Sequence, residues 1–97
     1  MKKFEMTKET KNNRREKLFR IKALISFGNV EVGELGGFIE KEENLSQTAN
    51  AWVSDNALVW GNALVCGNAL VSDNARVYGN ARVCGNAWVC DNVNGNG

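Results

Sequence analysis

The stretch Asn50–Asp91 reads NAWVSD (50–55), NALVWG (56–61), NALVCG (62–67), NALVSD (68–73), NARVYG (74–79), NARVCG (80–85) and NAWVCD (86–91), before decaying into NVNGNG (92–97). Every hexad opens on Asn-Ala and carries Val at its fourth position. A unit this short cannot bury its own apolar face, so successive units must stack on one another, which predicts a solenoid. The alternation of a strand puts Ala57 and Val59 on one side and Leu58 and Trp60 on the other. The unvarying Ala and Val are expected inside, and the variable positions, which hold Trp, Leu, Arg, Tyr, Ser and Cys, outside. Burying each of the Val residues from Val53 to Val89 contributes roughly 1.5–3 kcal/mol, the main drive for coiling.

The sixth position turns the corner, where a left-handed backbone suits Gly and is tolerated by Asp. It runs Asp55, Gly61, Gly67, Asp73, Gly79, Gly85, Asp91, so Asp returns every 18 residues. Three hexads then make one coil of triangular section, with neighbouring coils ~4.8 Å apart. Trp52, Leu70 and Trp88 fall on one face, Leu58, Trp60, Arg76 and Tyr78 on the next, and Leu64, Arg82, Cys66 and Cys84 on the third. Asp55, Asp73 and Asp91 form an acidic ladder along one corner, where the left-handed turn is reason enough for Asp. A cation held between chains, or mimicry of a row of phosphates, is the functional alternative.

The first 43 residues read as a basic N-terminal arm and β-rich cap, and residues 44–97 as the regular solenoid. Residues 1–16 are polar and form either a loose arm or a first strand. KLFRIKALISF (17–27) reads as strand, Gly28-Asn29 as a turn, and VEVGELGGFIE (30–40) as an irregular first winding. A cap is needed because the first rung otherwise leaves a strand edge unpaired. At the other end, NVNGNG is no cap and is expected to leave such an edge, which invites pairing with a second copy.

The net charge of +1 conceals a split. Residues 1–22 hold nine basic and three acidic side chains, giving +6; the remainder holds three and eight, giving −5. Lys8, Lys11, Arg14, Arg15 and Lys17 make the core of the basic arm. No aromatic interleaves them, so direct nucleic-acid binding is not expected. No apolar run is long enough to span a membrane, and no secretory signal is visible. Three Cys, with no CxxC spacing, argue against a disulfide framework or a zinc knuckle and predict reduced thiols in a cytoplasmic protein. Cys66 and Cys84 are expected side by side, but their parallel side chains suit a disulfide poorly.

The hexad Asn-Ala-x-Val-x-Gly/Asp resembles the hexapeptide-repeat left-handed parallel β-helix family, which includes acyltransferases and γ-type carbonic anhydrases. RIKALISFGNVEVGELGGFIEKEENLS (20–46) is similar to the leader of small bacteriophage and prophage hexapeptide-repeat proteins. The resemblance implies a left-handed coil and a homo-oligomer, a dimer or trimer. It does not carry the enzymes' chemistry across: they rely on His as general base or as metal ligand, and this chain has none. A degenerate acyltransferase is therefore the weakest reading. Thr-x-Thr ladders of the ice-binding kind are also missing from the repeats. No cofactor and no metal is expected.

A contiguous stripe of exposed apolar and aromatic side chains marks an interaction surface, and Trp, Tyr and Arg are the usual anchors of protein interfaces. The expected contact residues are Trp52, Leu70 and Trp88 on one face, with Leu58, Trp60, Arg76, Tyr78 and Arg82 beside them. Replacing Trp52 and Trp88 by Ser should on this reading leave the fold intact. The function expected is stoichiometric protein binding without catalysis. One version is a phage-type inhibitor of a host defence complex, in the manner of an anti-CRISPR protein meeting a nuclease or other nucleic-acid-handling assembly. The other is a self-assembling structural or virion component.

Overall fold

The computed structural model describes residues 2–95; the close of the decayed hexad, Asn96-Gly97, lies outside the described residues. The chain is a β-solenoid behind a β-hairpin cap. The hairpin is β1 (Phe4–Asn13) and β2 (Glu16–Ala23), followed by β3 (Leu35–Ile39) and a 3-10 turn at Glu42–Asn44. The rungs are β4 (Trp52–Val53), β5 (Leu58–Val59), β6 (Leu64–Val65), β7 (Leu70–Val71), β8 (Arg76–Gly79), β9 (Arg82–Val83), β10 (Trp88–Val89) and β11 (Val93–Gly95).

The register is the one the period dictates. Leu58 pairs with Arg76, Leu64 with Arg82, and Trp52 with Leu70, which pairs with Trp88, all in parallel. Each step is 18 residues, so three hexads make a coil. Three sheets result: β3-β5-β8-β11 on the first face, β6-β9 on the second and β4-β7-β10 on the third. Backbone N–H groups donate to the next coil all along the axis, as Ser54 does to Val71 at 2.7 Å and Cys66 to Val83 at 2.9 Å. Ala and Val fill the interior: Ala51, Ala57, Ala69 and Ala75, with Val53 through Val77, are fully buried. The corners at Asp55, Asp73, Gly61, Gly67, Gly79 and Gly85 take positive φ, between 56° and 70°.

Residues 93–95 extend the first face by one strand, which is the last of its sheet. Val93 sits opposite Val77 rather than Ala75, a slip of two residues that keeps the strand parity, and β11 adds a further rung to the first face.

The cap is an ordered hairpin rather than a loose arm. β2 pairs antiparallel with β3, which pairs in parallel with β5, so the hairpin and the first face form one six-stranded sheet. Phe4, Ile21 and Ala23 join the solenoid core. Close approach at this junction requires glycine: a Cβ on Gly36 would lie 2.8 Å from the Trp52 ring, and one on Gly37 would lie 2.6 Å from the Ala57 carbonyl.

Two buried polar side chains close the first coil. Asn44 donates its amide to the carbonyls of Gly61 and Ala63 and accepts from the N–H groups of Glu40 and Lys41. Lys3, 1% exposed, donates to the carbonyl of Ala51 at 2.6 Å and, at longer range, to those of Thr48 and Ala49. These carbonyls end the coil with no rung beneath them, and an ammonium with several donors meets them. Its Nζ also lies 4.8 Å from the Phe27 ring centre. Desolvation pushes the Lys3 pKa down to about 8.

Candidate binding site

The outward residues of the first face are covered at one end and open at the other. Phe38, Leu58 and Leu18 form a small second cluster on the outside of the sheet, with Trp60 packed against it. The hairpin register shifts between Met6 and Thr10, and such irregularities bend a strand. The far half of the hairpin reaches over this cluster, placing Lys11 above the Phe38 ring while Arg20 stacks on the same ring at 4.4 Å. Arg20 also pairs with Glu9 at 2.9 Å and donates to the Gly36 carbonyl.

Beyond that cover, the hairpin tip and the solenoid enclose a cleft of about 500 Å³. Its solenoid wall is Trp60 over Tyr78, one coil apart, with ring centres 4.8 Å from each other and planes within 5° of parallel. Arg76 and Asn92 lie beside the stack, and Asn13, Arg14, Arg15 and Glu16 supply the opposite wall. Arg14 holds φ of 56°, a conformation that costs a side-chain-bearing residue roughly 1–2 kcal/mol. The Asn13 Nδ2 is buried without a hydrogen-bond partner. The cleft therefore joins three arginines, Arg14, Arg15 and Arg76, to an aromatic wall.

Of the residues expected to make contacts, Arg14, Arg15, Trp60, Arg76 and Tyr78 come together here. Lys8, Lys11 and Lys17 lie elsewhere on the hairpin, Lys17 against the Phe19 ring. Arg82 is exposed on the second face and Leu70 is half-buried on the third. Asn13, Glu16 and Asn92 escaped the sequence reading. The only local signal for the first two was the turn-prone Asn12-Asn13 pair ahead of Arg14.

Two expected contact residues need correction. Trp52 is 2% exposed, not outward in solvent: its ring meets Phe27 edge-on at 5.3 Å and packs on the backbone at Gly36. Leu58 is 3% exposed because Leu18 and Phe38 cover it. Trp88, at 69%, is the exposed member of its stripe, with its indole N–H donated to Ser72 at 2.9 Å. Loss of Trp52 is accordingly a core lesion, contrary to the expectation that the Trp52/Trp88 double replacement leaves the fold intact.

The cysteines need correction too. Cys66 and Cys84 form a disulfide across neighbouring coils of the second face, with Cα atoms 4.6 Å apart. In-register rungs bring the Cα atoms inside the range a disulfide spans, so the parallel side chains are no obstacle. The expectation of three reduced thiols gives way to one pair and one free thiol. Cys90 remains free and exposed on the third face.

At the acidic corner, Asp55 Oδ2 accepts the N–H of Asp73 at 3.0 Å, and Asp91 Oδ1 accepts that of Asn92. These carboxylates accept backbone N–H groups, and of the three Asp55 and Asp73 hold positive φ. Asn side chains bond one another between coils, Asn62 Nδ2 donating to Asn80 Oδ1 and Asn68 Nδ2 to Asn86 Oδ1.

The geometry defines a capped β-solenoid with one donor-rich cleft. A family model described as the YdcK beta solenoid repeat matches residues 75–91, the stretch from the inward Ala75 to the Asp91 corner. No curated protein matches the chain. Among the described residues, no helix is long and apolar enough to cross a membrane.

Proposed function

We propose that the chain is a non-catalytic interaction protein that binds another protein stoichiometrically through the outside of its first face. The observation that carries this reading is the Trp60–Tyr78 stack with Arg14, Arg15 and Arg76 around it. Tyr, Trp and Arg are the residues that anchor interfaces. They stand here on a scaffold whose rungs are hydrogen-bonded coil to coil, so little order has to be gained on binding. A chain without His has no side chain whose ordinary pKa suits proton transfer near neutrality, which is why acyl transfer is set aside. The counter-defence reading is the special case in which the partner belongs to a host nuclease complex.

The test is capture of partners by the tagged chain, compared with a Trp60→Leu/Tyr78→Leu variant checked for folding by far-UV circular dichroism. A stoichiometric partner retained by the native chain and lost by the folded variant supports the reading. Retention by both moves the contact off this face.

A second reading, self-association into a dimer or trimer, is favoured by Trp88, a large ring left 69% exposed. Sedimentation of the native chain against Trp88→Ser tests it: a defined oligomer that the substitution dissolves supports this contact, and a native monomer removes it.

A further inference from the structure

Resting on the protein-binding reading, the geometry points to an acidic, extended peptide segment as the occupant of the cleft between the hairpin tip and the Trp60–Tyr78 wall. Three guanidinium groups against one carboxylate leave the cleft with a charge of +2 from Arg14, Arg15, Arg76 and Glu16. Arg rather than Lys lines it, and the planar guanidinium fork matches carboxylate oxygens in pairs. The aromatic wall adds to this, because ring edges carry the positive end of the quadrupole. The solenoid and loops from residue 23 onward carry a net −5, so they repel an acidic chain everywhere except toward the hairpin and cleft. This biases the encounter toward the hairpin side of the molecule.

The remaining lining decides between a peptide and a nucleic acid. Glu16 places a carboxylate in the wall, and Asn13 and Asn92 place amides there. A peptide backbone brings N–H donors for the carboxylate and amide oxygens and carbonyl acceptors for the amide N–H groups. A phosphodiester backbone brings acceptors alone, with no N–H to meet the Glu16 carboxylate. Nor do the two rings offer a base a free platform between them, since each already stacks on the other.

The test uses the full chain labelled with nitrogen-15 and an acetylated, amidated peptide alternating glutamate and glycine. Saturable shifts of the Trp60 indole and Arg76 signals are expected, with the Trp88 indole unmoved and affinity falling as salt is raised. Arg14→Gly is the cleanest variant, since glycine suits the positive φ and the hairpin keeps its turn. It and Arg76→Gln should each weaken the peptide about tenfold, the scale of one charge-assisted hydrogen bond. No movement at Trp60, or an affinity in both variants unchanged from that of the native chain, overturns the assignment. So does tighter binding of a single-stranded oligonucleotide of equal charge. A native oligomer that Arg76→Gln and Asp73→Asn each dissolve overturns it in favour of a second copy's acidic corner. A captured protein that both arginine variants still retain leaves stoichiometric binding standing and removes only the acidic-segment assignment.

Discussion

Trp52 and Trp88 hold the same place in the hexad, on the same face, two coils apart, yet one is 2% and the other 69% exposed. Between them Leu70 pairs with both and is half-buried. The repeat fixes the direction each side chain takes from its rung, and only the cap fixes what it meets there. At the first coil Phe27 and the Gly36 backbone close over the indole; at the third, nothing in the described fold does. Sequence position within a solenoid is thus half of an environment, and the other half comes from segments that do not repeat.

The strongest way to break this comparison is to cut both rings back. Trp52→Ser should cost roughly 3–5 kcal/mol, the scale for removing a buried large ring. Trp88→Ser should stay within about 1 kcal/mol, since it loses one hydrogen bond to Ser72 and little burial. Urea denaturation of the two single variants measures both. Equal losses would mean that the cap does not distinguish the two ends.

What could be read from the sequence follows the same division. The Ala–Val interior, the three-hexad coil and the Asp55 and Asp73 corners were legible because a short period constrains every rung at once. So was the adjacency of Trp60, Arg76 and Tyr78, which lie on one face by arithmetic alone. That Arg14 and Arg15 would meet them was not, because the path of a hairpin over a sheet is decided by tertiary packing of Leu18 and Phe38. The burial of Trp52 had one overlooked signal, the Gly36-Gly37 pair, which marks a close backbone approach beside the apolar Phe38-Ile39.

The disulfide sharpens the comparison between the two ends, since it ties the first coil to the second through the second face without involving the hairpin. The chain-entropy model for its separation of 18 residues gives about 3 kcal/mol. A Cys66→Ser/Cys84→Ser variant should lose up to that amount. Native chain treated with reductant should fall to nearly the same midpoint in denaturant. A variant as stable as the oxidised native chain would mean that the coil-to-coil hydrogen bonds already hold these rungs.

Gly36 tests the cap from its own side. Gly36→Ala places a methyl group against the Trp52 ring and the Val53 carbonyl, an overpacking that should cost roughly 1–3 kcal/mol. Gly85→Ala adds a methyl group that meets nothing within 4 Å, so its cost is the positive φ of 70° alone, roughly 1 kcal/mol. Thermal melts of the pair separate crowding under the cap from backbone strain at an open corner.

The effect spread most gradually belongs to Lys3, and it has a pH signature. Its pKa is about 8 in the fold against about 10.5 for a free lysine side chain. Below pH 8 the amine is charged in both states, and the fold carries the whole cost of desolvating it. Between about 8 and 10.5 the unfolded chain keeps a proton that the folded chain has released, so stability rises with pH, by at most about 1.4 kcal/mol per unit. Above that window the contribution is flat. In a Cys90→Ser background, which removes the free thiol, stability should climb from pH 8 to 10. Adding Lys3→Met should lower stability by leaving the carbonyls of Thr48, Ala49 and Ala51 without a donor, and should abolish the climb. A slope that survives Lys3→Met would place the titrating group elsewhere and leave the buried ammonium as a plug for the end of the coil with no part in its pH response.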